Sequence, residues 1–87
     1  MMITLSKIYL SNNEFFIFHV VDGMETKRIS PCSRLEHLFD KNGVMFYTVD
    51  DNFDDDASWY MTMENIGIFD VMPTIQELKS NFPELFL

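Results

Sequence analysis

Along residues 2–10, MITLSKIYL, the apolar positions change sides: Ile3 and Leu5 share one face of an extended chain, Ile8 and Leu10 the other. That pattern predicts a strand with a bulge near Ser6-Lys7, or one covered on both faces. Ser11-Asn12-Asn13 predicts a turn. Residues 14–22, EFFIFHVVD, are apolar on both faces, with Phe15, Ile17, His19 and Val21 alternating with Phe16, Phe18 and Val20. Such a run predicts a central strand with both faces at least partly covered. Asp22-Gly23 predicts a hairpin turn, and residues 24–29 return as a third strand. Glu25, Thr26, Lys27 and Arg28 suit that strand to a sheet edge.

The period then changes. Leu35, Leu38 and Phe39 fall at helical spacing, Ser33 and Glu36 fit a capping box, and Asn42-Gly43 offers a left-handed stop. A helix of about two and a half turns is expected. Residues 44–64 read as a β-hairpin with an acidic tip: Asp50, Asp51, Asp54, Asp55 and Asp56 lie between arms carrying Phe46, Tyr47, Trp59 and Tyr60. Glu64-Asn65 suggests a turn, residues 66–71 a further strand, and Met72-Pro73 its end. Thr74 and Glu77 fit a second capping box, opening a helix that turns Ile75, Leu78 and Phe82 inward. Pro83 disfavours helix at Phe82. The tail, residues 83–87, is too apolar to be left in water and is expected to dock on the core or on a partner.

The resulting expectation is one α+β domain over residues 1–87, a small antiparallel sheet of five to six strands with two short helices, in the order β-β-β-α-β-β-(β)-α. Two short helices leave part of such a sheet to be covered by a second copy in a homodimer or by a partner. The 87-residue length fits a single domain, and 47% hydrophobic residues with nine Phe supply a dense core.

Charge changes the picture. Residues 1–45 balance five acids with five bases, whereas residues 46–87 hold nine acids and one base, so the whole net charge of −8 belongs to the second half. Such a field repels nucleic acid and anionic membrane and attracts basic partners, including proteins that themselves handle nucleic acid. The single cysteine, Cys32, excludes an internal disulfide. No apolar run approaches the roughly 20 residues of a membrane span, and no signal peptide is visible. The expected location is the cytoplasm, that of the host cell if the chain is phage-encoded.

Candidate chemistry is sparse. Read as a calcium loop from Asp50, the acidic tip has Asp55 at the glycine position and Met61 at the position of the late acid, so no metal site is assigned. As an acid/base pair, its carboxylates lack the contrast of environments that separates pKa values. As an electrostatic surface it has more promise. Residues two apart on an extended chain lie about 6.6 Å apart on one face, so Asp54 and Asp56 are spaced roughly like neighbouring phosphates of one DNA strand. Trp59 and Tyr60 adjoin the acids and are typical interface anchors, although a lone Trp also suits a core. The competing reading of the tip is a charged loop that only solubilises.

Cys32, just before a helix start, with His37 one turn on, is a candidate nucleophile and base, but the plain reading is a half-buried cysteine. His19 reads as a packed histidine. Lys7, Lys27 and Arg28 could form a small basic patch on the sheet edge, but charge defending an edge strand accounts for them better. No phosphate loop, nucleophile elbow or metal-spaced histidine pair occurs, and no cofactor or enzymatic activity is assigned.

In overall profile (short, strongly acidic, aromatic-rich) the chain resembles the small inhibitor proteins of phages and mobile elements, such as anti-CRISPR and anti-restriction DNA mimics. The resemblance is of composition over the whole chain and carries no residue roles. It implies a protein-binding inhibitor that occupies a basic, nucleic-acid-handling surface, such as that of a nuclease; the charge and aromatic pattern, not the resemblance, names Asp50, Asp51, Asp54, Asp55, Asp56, Trp59 and Tyr60 as the contacts. The alternative is a structural or regulatory subunit that associates through an apolar sheet face (Phe16, Phe18, Met61, Met63) and Leu85-Phe86-Leu87.

Overall fold

A computed structural model describes residues 1–10, 13–45 and 63–86. Its first three strands form a meander: β1 (Met2–Leu10), β2 (Asn13–Asp22) and β3 (Glu25–Cys32). A 3₁₀ turn (Leu35–Leu38) follows, then β4 (Glu64–Phe69), helix α1 (Ile75–Asn81) and a second 3₁₀ turn (Pro83–Phe86). The strand order is β3-β2-β1-β4, with every pairing antiparallel. The α+β class and the antiparallel sheet stand. Four strands lie among the described residues, and the predicted hairpin falls almost wholly outside them, at residues 46–62.

β1 and β2 pair without a break, from Met2 opposite Val21 to Leu10 opposite Asn13. That register puts Ile3, Leu5, Lys7, Phe16, Phe18 and Val20 on one face. Thr4, Ser6, Ile8, Phe15, Ile17 and His19 lie on the other. The first face carries the main core, where Ile29, Leu35, Leu38, Phe39, Met45 and Leu78 join the strand residues. On the second face Ser6, Ile8 and Ile17 are buried as well, so the central strands are covered on both sides, as their apolar runs require. The expected bulge is present but on the partner strand: Leu5 pairs with Gly67 and Ser6 with Asn65, leaving Ile66 as the extra residue of β4.

β3 is an edge strand of the sheet formed by the described residues, as its polar content suggested. It runs on to Cys32 through a second irregularity, since Phe16 pairs with Cys32 but Phe18 with Ile29. Pro31 sits within this bulge, where its missing N–H costs no ladder bond.

The first predicted helix is corrected. Only the four-residue 3₁₀ turn forms, Arg34 rather than Ser33 precedes it, and no side chain caps it. That single turn already buries Leu35 and Leu38. Phe39 then becomes extended and bridges Met45. The Asp40 N–H donates to the Val44 carbonyl at 2.8 Å, while Asp40 Oδ1 accepts from the amides of Asn42 (2.8 Å) and Val44 (3.1 Å). A carboxylate that captures its neighbours' amides competes with a helix for them. Asn42-Gly43 is therefore the tip of a tight turn, with Gly43 at φ +80°, and not a helix stop.

Glu64-Asn65 is also corrected, from turn to strand. These residues pair with Lys7 and Ser6, and β4 ends at Phe69, two residues before the predicted limit. α1 starts as expected. Thr74 is its N-cap, and its Oγ1 accepts from the Glu77 amide at 3.2 Å. Leu78 is fully buried, and Phe82 ends the helix out of helical conformation, as the following proline demands. Phe82 meets Phe69 edge to face at 6.3 Å, which ties the end of α1 to β4. Gly67 makes room for this pair, because a Cβ there would stand 3.2 Å from both rings. Leu85 and Phe86 of the second 3₁₀ turn pack against the core, so this part of the tail docks on its own chain.

Candidate functional site

The partner-binding residues expected from sequence, Asp50, Asp51, Asp54, Asp55, Asp56, Trp59 and Tyr60, all lie outside the described residues. Their flanks are described. On one side Met45 is buried and bridged to Phe39; on the other Met63 is exposed and Glu64 opens β4. The four remaining acids of the second half, Glu64, Asp70, Glu77 and Glu84, are all exposed. No group of three or more His, Cys, Asp or Glu side chains is placed to hold a metal ion among the described residues.

Cys32 does not precede a helix N-terminus. It closes β3 opposite Phe16, and burial raises its thiol above the usual value, away from the activated thiolate. His37 is exposed on the 3₁₀ turn. Lys7, Lys27 and Arg28 do not form a patch. Lys7 pairs across the strands with Phe16 and Lys27 with Val20, roughly 13 Å further along β2. Arg28 pairs with His19 on the opposite face. His19 is half-buried there; desolvation and then the Arg28 charge hold its pKa below the ordinary value.

The described residues also form a cleft that the sequence did not announce. Its floor is the cross-strand pair Lys7–Phe16, with the Lys7 ammonium 5.7 Å from the ring centroid and 3.6 Å from a Glu14 carboxylate oxygen. One wall is the stretch Ser33–Glu36, and the other is Glu84–Phe86 of the C-terminal turn. The cleft is open to solvent and has a volume of about 460 Å³. A second cleft, of about 310 Å³, shares Lys7, Glu84 and Leu85 and reaches Glu64 and Asn65 of β4. The C-terminal turn thus stands between two clefts, and the Lys7 side chain opens to both. Lys79 lies over the Phe86 ring at 5.5 Å and braces this turn against α1.

Three separate facts had to coincide to make that site: the β1–β2 register, the stop after one 3₁₀ turn, and the return of the tail. Only the tail's apolar character was visible in the sequence. Comparison of the chain with protein-family models, with curated proteins and with solved structures finds no match.

Proposed function

We propose that the protein is an acidic binding protein that occupies a basic, nucleic-acid-handling surface of a protein target, in the manner of a DNA mimic. One observation carries this reading: the entire net charge of −8 lies in residues 46–87, with five aspartates packed into seven positions beside Trp59 and Tyr60. A field of one sign raises the encounter rate with a surface of the other. The contacts would be Asp50, Asp51, Asp54, Asp55 and Asp56, with Trp59 or Tyr60 as anchor. The site of action would be the cytoplasm of a host cell, and neither catalysis nor a cofactor enters the reading. None of the helices described is long and apolar enough to cross a membrane.

Association through an apolar face, as a structural or regulatory subunit or a homodimer, is the second reading. Phe16 and Phe18 lie in the protein's own core, and Leu85 and Phe86 pack against it, so that route asks these side chains to leave present contacts. Exposed Met63 needs no such change.

The test is affinity capture from host extract with the wild-type chain and with a D54N/D55N/D56N variant. The expected target is a basic protein retained at low salt, displaced by high salt or by added DNA, and captured several-fold more slowly by the variant. Retention indifferent to salt, to DNA and to the three substitutions would sink the reading.

A further inference from the structure

We propose that the cleft above Lys7 and Phe16 binds a small dipolar molecule of net positive charge, the class of a basic amino acid with free α-amino and α-carboxylate groups. The described residues that line this cleft include none of the side chains on which the acidic-surface reading rests, so variants of these lining residues test the cleft without touching that reading. The charges that the cleft leaves unanswered decide the ligand class. Lys7 and Glu14 pair at 3.6 Å and neutralise each other. Arg34, Glu36 and Glu84 also line the cleft, and among the described residues no ion pair reaches any of them. Among the described residues the walls therefore offer one cation and two anions. The complementary ligand carries one anion and two cations.

Shape and chemistry agree with that count. A volume of about 460 Å³ is in the range of small-molecule sites, roughly 300–1,000 Å³. The Arg34 guanidinium is a two-pronged donor suited to a carboxylate, and the Ser33 hydroxyl beside it can donate a further bond. Glu36 and Glu84, on opposite walls, accept from an α-ammonium and from a side-chain cation. Phe16, Leu85 and Phe86 give the ligand's aliphatic stem an apolar surface. A longer side chain passing Glu84 enters the second cleft, where Glu64 supplies another carboxylate. An anionic ligand would meet the surplus of carboxylates, and a neutral zwitterion would leave one of them unpaired.

The experiment is a calorimetric titration of the intact chain with free L-arginine. Two comparison probes are agmatine, which keeps both cations but lacks the carboxylate, and L-norleucine, which keeps both termini but lacks the side-chain cation. Arginine should bind, with each comparison probe weaker by about tenfold. The R34Q and E84Q variants change exposed side chains that the fold does not rely on, and each should weaken arginine by a similar factor. The E25Q variant, on the remote edge strand, should leave it unchanged. Agmatine binding as tightly as arginine would reduce the effect to attraction by overall charge and overturn the proposal. So would equal arginine binding by wild type, R34Q and E84Q, or no heat of binding at millimolar arginine.

Discussion

Gly43 answers three demands at once. It holds φ +80°, its carbonyl accepts from the Ile75 amide at 3.2 Å, and a Cβ there would stand 3.1 Å from Ile75 Cγ2. The Gly43→Ala variant should lose about 1–2 kcal/mol, from the left-handed backbone alone, with any push on Ile75 added. Urea midpoints at constant m-value measure it. Ser6 poses the opposite case. Its Oγ is buried and has no hydrogen-bond partner among the described residues. An unanswered hydroxyl is a cost, so Ser6→Ala should leave stability unchanged or raise it by up to about 1 kcal/mol. A loss of more than that in thermal unfolding would mean that the hydroxyl has a partner.

At the scale of elements, what was legible follows from how much local sequence each one needs. β1 announces itself because Ile3 and Leu5, then Ile8 and Leu10, recur at every second position, β2 because Phe15–Val21 is a short apolar run rich in aromatic and β-branched residues, and α1 because Thr74 and Glu77 bracket its first turn. The stretch after Cys32 misleads because Ser33 and Glu36 match a cap in sequence while the chain needs only one turn to bury Leu35 and Leu38. Asp40 then takes the amides that a longer helix would have used. Glu64-Asn65 misleads for another reason. Two polar residues resemble a turn, yet at the exposed start of a strand they serve as well. Clefts are less legible still, since they belong to no one element. If Thr74 caps α1 as its geometry indicates, Thr74→Ala should cost about 1 kcal/mol and Thr74→Ser much less. Paired thermal melts of the two variants provide the check.

At the scale of the whole molecule, two titrations among the described residues bear on stability. His19 has its folded-state pKa lowered by desolvation and by Arg28. Its contribution is present above the ordinary 6.5 and is lost as pH falls through the folded value. Cys32 is raised by burial, so its contribution is present below 9.0 and is lost as pH rises through the folded value. Between these limits neither group adds a slope, and each adds a decline on its own side. In urea titrations across pH, His19→Gln should remove the decline just below 6.5, above the range where carboxylates titrate. Cys32→Ser should remove the alkaline one. A decline in the pH range of about 5–6.5 that survives His19→Gln would assign it to another group.

β1 has one more consequence, and it concerns order in time. The strand is made first, pairs with β2 almost as soon as β2 exists, and yet keeps its other edge open until β4 has been synthesised. The Tyr9 hydroxyl and the Glu64 carboxylate that meet at 3.4 Å are 55 residues apart. The meander can therefore assemble early from local contacts, while closure of β1 waits on a long-range pairing of the kind that slows folding. Throughout that interval a strand with two apolar faces has an unpaired edge in a crowded cell, a template for another nascent copy. The strand at the heart of the meander is thus also the one whose edge stays open longest, and the delay before β4 follows β3 bears on how often that edge meets another copy.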